Sequence, residues 1–171
     1  MTKPLKVLHL LGLAMLLGSI FGHIVASAPH GGAAGSPELL FARQTIADAT
    51  RMLTQPGLAL AIATGIALAL RGGRGLAGRR WLIVHAGLTV AVLALAVTLI
   101  MPAGNAMLRM AAEAVAGGAL GPDYAAAART ERMVGALNVV LILLVVAVGV
   151  AKPALRWRRR TGGPALDAAR R

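Results

Sequence analysis

The stretch Lys6-Val-Leu-His9-Leu-Leu-Gly-Leu-Ala-Met-Leu-Leu-Gly-Ser-Ile-Phe-Gly-His23-Ile-Val-Ala-Ser-Ala28 decides the class of this chain. Its apolar run extends over about 21 residues, the length that crosses a bilayer as a helix and well beyond the roughly 7 to 15 residues of a secretory signal core. Pro29 directly follows the small residues Ala26-Ser27-Ala28 and disfavours cleavage there. The expectation is an uncleaved first membrane span that carries two histidines.

The 171-residue chain as a whole agrees, being 57% hydrophobic and only 14% charged, an apolar excess that a soluble domain of this size has too little polar surface to cover. With 3% aromatic residues and much Ala, Leu, Val and Gly, the pattern fits helices packed by small residues rather than an alternating barrel strand. The fold expected is all-α, a polytopic membrane four-helix bundle. Spans fall at about 7–27, 56–70, 80–101 and 134–151. Lys3 and Lys6, then Arg71, Arg74, Arg79 and Arg80, then Lys152, Arg156, Arg158, Arg159, Arg160, Arg170 and Arg171 all fall on one side of these spans. The other side balances Arg43, Arg51, Arg109, Arg129 and Arg132 against Glu38, Asp48, Glu113, Asp123 and Glu131. The positive-inside rule therefore puts both termini in the cytoplasm, with Trp81 and Trp157 as interface anchors. The net charge of +12 is used up in orientation and in attraction to anionic headgroups, which removes nucleic acid as a partner. Because the chain has no cysteine, disulfides, thiolate metal sites, iron–sulfur clusters and covalently attached haem are excluded.

Ser36-Pro37-Glu38 reads as a helix start, with a capping serine, a first-turn proline and an acid, outside the membrane and feeding the second span. Pro56 should kink that helix. Gly72-Gly73 and Gly75 mark a short turn, so the second and third helices are expected as antiparallel neighbours. Met107 to Ala116 continues the third helix, Gly117-Gly118 and Gly121-Pro122 turn the chain, and Asp123 to Arg132 leads into the fourth span. Helices 2, 3 and 4 are thus expected to extend into the periplasm from one domain over residues 1–160, followed by a basic, disordered tail at 161–171. A faint parallel repeat, His9-Leu-Leu-Gly-Leu against His85-Ala-Gly-Leu, would set His9 and His85 facing one another.

On the first helix His9, Gly12, Leu16, Ser19 and His23 step by three or four and share one face, expected to look into the bundle. His9 and His85 enter their helices at similar depth. Three readings stay open. Each imidazole hydrogen-bonds a carbonyl or hydroxyl and only packs; or the two ligate a b-type haem or a metal ion, with Lys152 near enough in depth to meet a porphyrin propionate; or copper binds at the other face through His23, Met52, Met101 and Met133, with His30, Met107 and Met110 close by. At that face His23, Gln55 and Asn138 also fall at similar depth and read as a structural hydrogen-bond cluster. No acid lies inside a span, and no serine-protease-like triad, phosphate loop or zinc-protease motif is present.

Lys6-x-Leu8-His9 opening the first span, Pro56-x-Leu58 followed by Thr64-Gly65, Trp81-Leu82 opening the third and Ala151-Lys152-Pro153 closing the fourth resemble a family of uncharacterised bacterial four-helix integral membrane proteins. The resemblance covers roughly residues 5–155 and implies a bacterial inner membrane. More distantly the layout is similar to HemJ-type protoporphyrinogen oxidases and to the copper-resistance D (CopD) family. In the HemJ type a first-helix histidine that contributes to haem binding matches His9. That family's third helix has Trp-Leu-x-x-Lys where this chain has Trp81-Leu82-Ile83-Val84-His85, and its last helix opens with Asn-Glu where this one has Asn138-Val139. Both departures argue against the oxidase activity and leave haem or porphyrin binding open. From the copper family only the general helical layout matches. The functions under consideration are therefore haem b or porphyrin binding between the first and third helices with redox use, a non-enzymatic membrane subunit or assembly factor, and copper handling. The bilayer is the expected partner, with a redox or membrane-protein partner and a second copy of the chain left open.

Overall fold

The computed structural model describes residues 3–27, 36–71 and 80–153. The expectations for His30, the glycine turn at 72–75, Trp157 and the tail at 161–171 lie outside the described residues. Among the described residues every regular element is helical, and four helices are long and apolar enough to cross a membrane: α1 (Lys3–Ala26), α2 (Pro37–Arg71), α3 (Arg80–Val115) and α4 (Pro122–Ala151).

The surface of these helices is inverted relative to a soluble protein. Phe21 is 64% exposed, Leu70 80%, Val90 66% and Val150 79%, far more apolar surface than water tolerates on a stable monomer. The interior is rich in small and polar residues, among them Gly12, Gly57, Ala61, Thr64, Ala111, Ala114 and Asn138. On α1 the buried residues are Gly12, Leu16 and Ser19, the middle of the face that the three-and-four stepping picks out. This is how membrane bundles pack, because lipid tails are as apolar as leucine and close approach of small residues has to do the joining.

Two antiparallel hairpins result, α1 with α2 and α3 with α4. Their pairing is read from His9 against Ala61, Ser19 against Thr54, and His85 against Val145. The end that holds Lys3, Arg71, Arg80 and Ala151 is the terminal end, and the opposite one the distal end. At the distal end the hairpins join, with the Pro37–Ala49 part of α2 against the Met101–Val115 part of α3, which in turn packs on α4. Arg43 on α2 and Glu131 on α4 clamp this end with a 2.7 Å ion pair, and the Arg43 guanidinium lies over the Tyr124 ring.

Both helices that meet there are interrupted at one level, for the same reason. Pro56 has no N–H and its ring collides with the carbonyl four residues back. The chain answers with a wider π turn over Thr50–Thr54, in which the Gln55 N–H reaches the Thr50 carbonyl. Pro102 is preceded in the same way by a π turn over Ala96–Ile100, with the Met101 N–H on the Ala96 carbonyl. A threonine bonds back to a carbonyl in each, Thr50 to Ile46 at 2.8 Å and Thr98 to Ala94 at 2.7 Å, which bends the helix further. Distal to these turns α2 and α3 pack together; on the terminal side Gln55–Arg71 and Arg80–Leu95 make at most isolated contacts. Between the ends, Leu17 and Ile20 of α1 pack against Val92, Ile142 and Val145 and form the apolar waist of the bundle.

The Ser36 start is as expected, its hydroxyl accepting the Leu39 N–H, and α2 then continues through its π turn to Arg71. The α3 to α4 turn also agrees with the sequence. Gly117 takes a left-handed φ of 104°, and the Gly118 N–H returns to the Glu113 carbonyl at 3.0 Å.

Candidate functional site

His9 and His85 are held in matching ways. The His9 Nδ1 lies 2.9 Å from the Ala61 carbonyl of α2, and the His85 Nδ1 lies 3.0 Å from the Val145 carbonyl of α4. A carbonyl can only accept, so in each ring the proton sits on Nδ1 and a neutral imidazole carries its lone pair on Nε2. Thr64 does not change this assignment. Its hydroxyl gives its own proton to the Leu60 carbonyl at 2.6 Å, so toward His9, at 3.1 Å, it acts as a second acceptor. Among the described residues neither Nε2 has a hydrogen-bond partner. Both rings are half-buried.

Around His85 the terminal end is more elaborate than around His9. Trp81, one turn earlier on α3, presents its ring edge-on at 6.4 Å, and Lys152 lays its ammonium 5.9 Å over the Trp81 ring. Lys152 can do so because it caps α4 in a left-handed conformation, φ 43°, before Pro153.

A second polar cluster lies toward the distal end. Ser19, 1% exposed, donates to the Ala49 carbonyl at 3.3 Å and pairs with the Thr54 hydroxyl at 2.6 Å. The His23 Nε2 approaches the Ser19 and Thr50 hydroxyls at 3.3 and 3.4 Å. Ser19 and Thr50 both donate their protons to carbonyls, so His23 is the donor in these contacts. The partners differ from those read in the sequence. Gln55 is exposed, and Asn138 is buried with its Oδ1 unpaired, while Thr50 and Thr54 take the places next to His23. The π turn explains the change, since one extra residue in a turn rotates the remainder of the helix by about 100°.

The methionines divide differently. The side chains of Met52 and Met133 are 73% and 68% exposed, Met101 is half-buried, and Met107 is wholly buried as packing material. Among the described residues no three of His, Asp and Glu come together as a metal-holding group. The cavities of note among these residues are open grooves at the distal end, one of about 600 Å³ beside Phe41 and one of about 450 Å³ between Gln44 and Arg109, neither near the terminal histidines.

No curated protein and no solved structure matches the chain. A family does: over residues 3–153, nearly its whole length, the chain belongs to the family described as "Predicted integral membrane protein (DUF2269)".

Proposed function

We propose that this membrane protein binds a b-type haem, or a related porphyrin, between α1 and α3 through His9 and His85, and that it carries electrons. The observation that supports this reading is the pair of imidazoles tied by Nδ1–H to backbone carbonyls, each with an Nε2 lone pair left over. Histidines that ligate iron are held in this way, because the carbonyl fixes the ring and raises the basicity of the free nitrogen. A metal centre built from protein alone needs three or four ligand side chains, whereas a macrocycle supplies four and asks the protein for two. Two histidines without a third ligand nearby suit the second case.

When bound, haem iron supplies one-electron chemistry. His9 and His85 would hold it from two helices, which suits electron transfer rather than chemistry on a bound substrate. On the distal side of the two histidines Leu17 and Ile20 of α1 pack against Val92, Ile142 and Val145, an apolar floor that suits a macrocycle's hydrophobic face. Lys152 would meet a propionate at the terminal end by leaving its seat over Trp81. With Lys3, Lys6, Arg71, Arg80 and Lys152 gathered there, the same reading puts that end at the cytoplasmic face of a bacterial inner membrane, among anionic headgroups.

The test is the visible spectrum of protein expressed with ample haem, before and after dithionite, beside His9→Ala and His85→Ala. A Soret band with α and β bands that sharpen on reduction, altered or lost in both variants, is the expected result. A colourless wild type would overturn the reading and leave a membrane subunit whose histidines only pack.

A further inference from the structure

Each histidine reaches a carbonyl that already serves its own helix. In an α-helix the carbonyl of residue i accepts the N–H of residue i+4, and the side chain at i+4 stands beside it. For the Ala61 carbonyl that residue is Gly65; for the Val145 carbonyl it is Gly149. Glycine at this one position leaves the carbonyl open to a ring coming from the side. The rings use the space: a Cβ built on Gly65 would stand 3.3 Å from His9 Cε1, and one on Gly149 would stand 3.2 Å from His85 Cε1. Those distances would push an imidazole by a few tenths of an ångström without breaking the backbone packing. Other glycines of the four helices differ. A Cβ on Gly12 would meet backbone at 2.7 Å, while one on Gly18, Gly22, Gly87 or Gly135 would meet nothing within 4 Å.

We infer that Gly65 and Gly149 are positioning residues, whose missing side chains seat His9 and His85 so that both Nε2 atoms are presented to one planar, iron-holding macrocycle. The inference rests on the haem proposal. A displacement of a few tenths of an ångström is large for this purpose, since ligand distances at a metal hold within about 0.2 Å. Supporting residues behind metal-bound histidines are worth about 10- to 100-fold in metal affinity.

Haem titration of the purified apoprotein in detergent, followed at the Soret band, tests this with Gly65→Ala and Gly149→Ala against Gly18→Ala and Gly135→Ala. Each seat variant should bind haem about 10- to 100-fold more weakly, with a shift from low-spin toward high-spin absorption, and each control should match wild type. In a His9→Ala background, Gly65→Ala should have no further effect, because no ring remains to be displaced. Seat variants that bind and absorb like wild type would overturn this inference while leaving the haem reading intact. So would a Gly65→Ala chain that fails to fold even with His9→Ala, since the glycine would then serve packing. A colourless wild type would overturn both.

Discussion

The two hairpins hold their histidines alike but are joined by different means. α1 and α2 cross backbone to backbone, with Gly12 so close to the Ala61 N–H and the Gly57 carbonyl that a Cβ would stand 2.7 Å from each. α3 and α4 meet through side chains, around Val92, Ile142 and Val145, while Gly87 and Gly135 face open space. A histidine, an open carbonyl and a glycine recur on both surfaces. Because the packing around them differs, the arrangement is not a by-product of either crossing, and this favours a role for the imidazoles themselves.

The largest effect should come from separating the hairpins where they are clamped. Arg43 and Glu131 keep only 11% and 21% of their side chains exposed, so Glu131→Ala strands a buried guanidinium. Loss of about 2–4 kcal/mol is expected in thermal unfolding followed by circular dichroism in mild detergent, and the paired Arg43→Met, Glu131→Leu variant should recover most of it. Next, Gly12→Ala should cost about 1–3 kcal/mol by forcing α1 and α2 apart. Gly87→Ala in the other hairpin should instead stabilise by up to about 1 kcal/mol, and equal costs at the two glycines would erase the contrast between the crossings.

A smaller effect is expected at Thr64, which gives His9 a second acceptor that His85 lacks, the corresponding position being Val148. Thr64→Val should cost about 0.5–1 kcal/mol and make the His9 site resemble that of His85. Nitrogen shifts of labelled histidine should show Nδ1 still protonated; a change of tautomer would mean that the Ala61 carbonyl does not fix the ring. Gly18→Ala, like Gly87→Ala, should move stability by no more than about 1 kcal/mol in the stabilising direction, since it gains helix propensity and meets no neighbour.

Much of this was legible in the sequence because membrane helices write their constraints in composition and length. The inward face of α1, His9 to His23, could be read from its stepping, and Gly12, Leu16 and Ser19 are buried along it. The break at Pro56 follows from its proline, and Pro102 carries the same signal at the end of the third apolar run, where the matching π turn lies. The seats at Gly65 and Gly149 were hidden for another reason. Among 21 glycines nothing local marks two, and only the crossing of the helices shows which ones lie under a ring. The grouping of His23 with Gln55 and Asn138 assumed a regular helix, and the π turn brought in Thr50 and Thr54 instead.

The central claim is that His9 and His85 hold the same iron. Low-temperature electron paramagnetic resonance of the oxidised, haem-loaded protein tests it most directly, because two axial imidazoles give a low-spin signal and a single one gives a high-spin signal. A low-spin wild type that turns high-spin in both His9→Ala and His85→Ala is the predicted result. A wild-type signal that survives loss of either histidine would contradict the account.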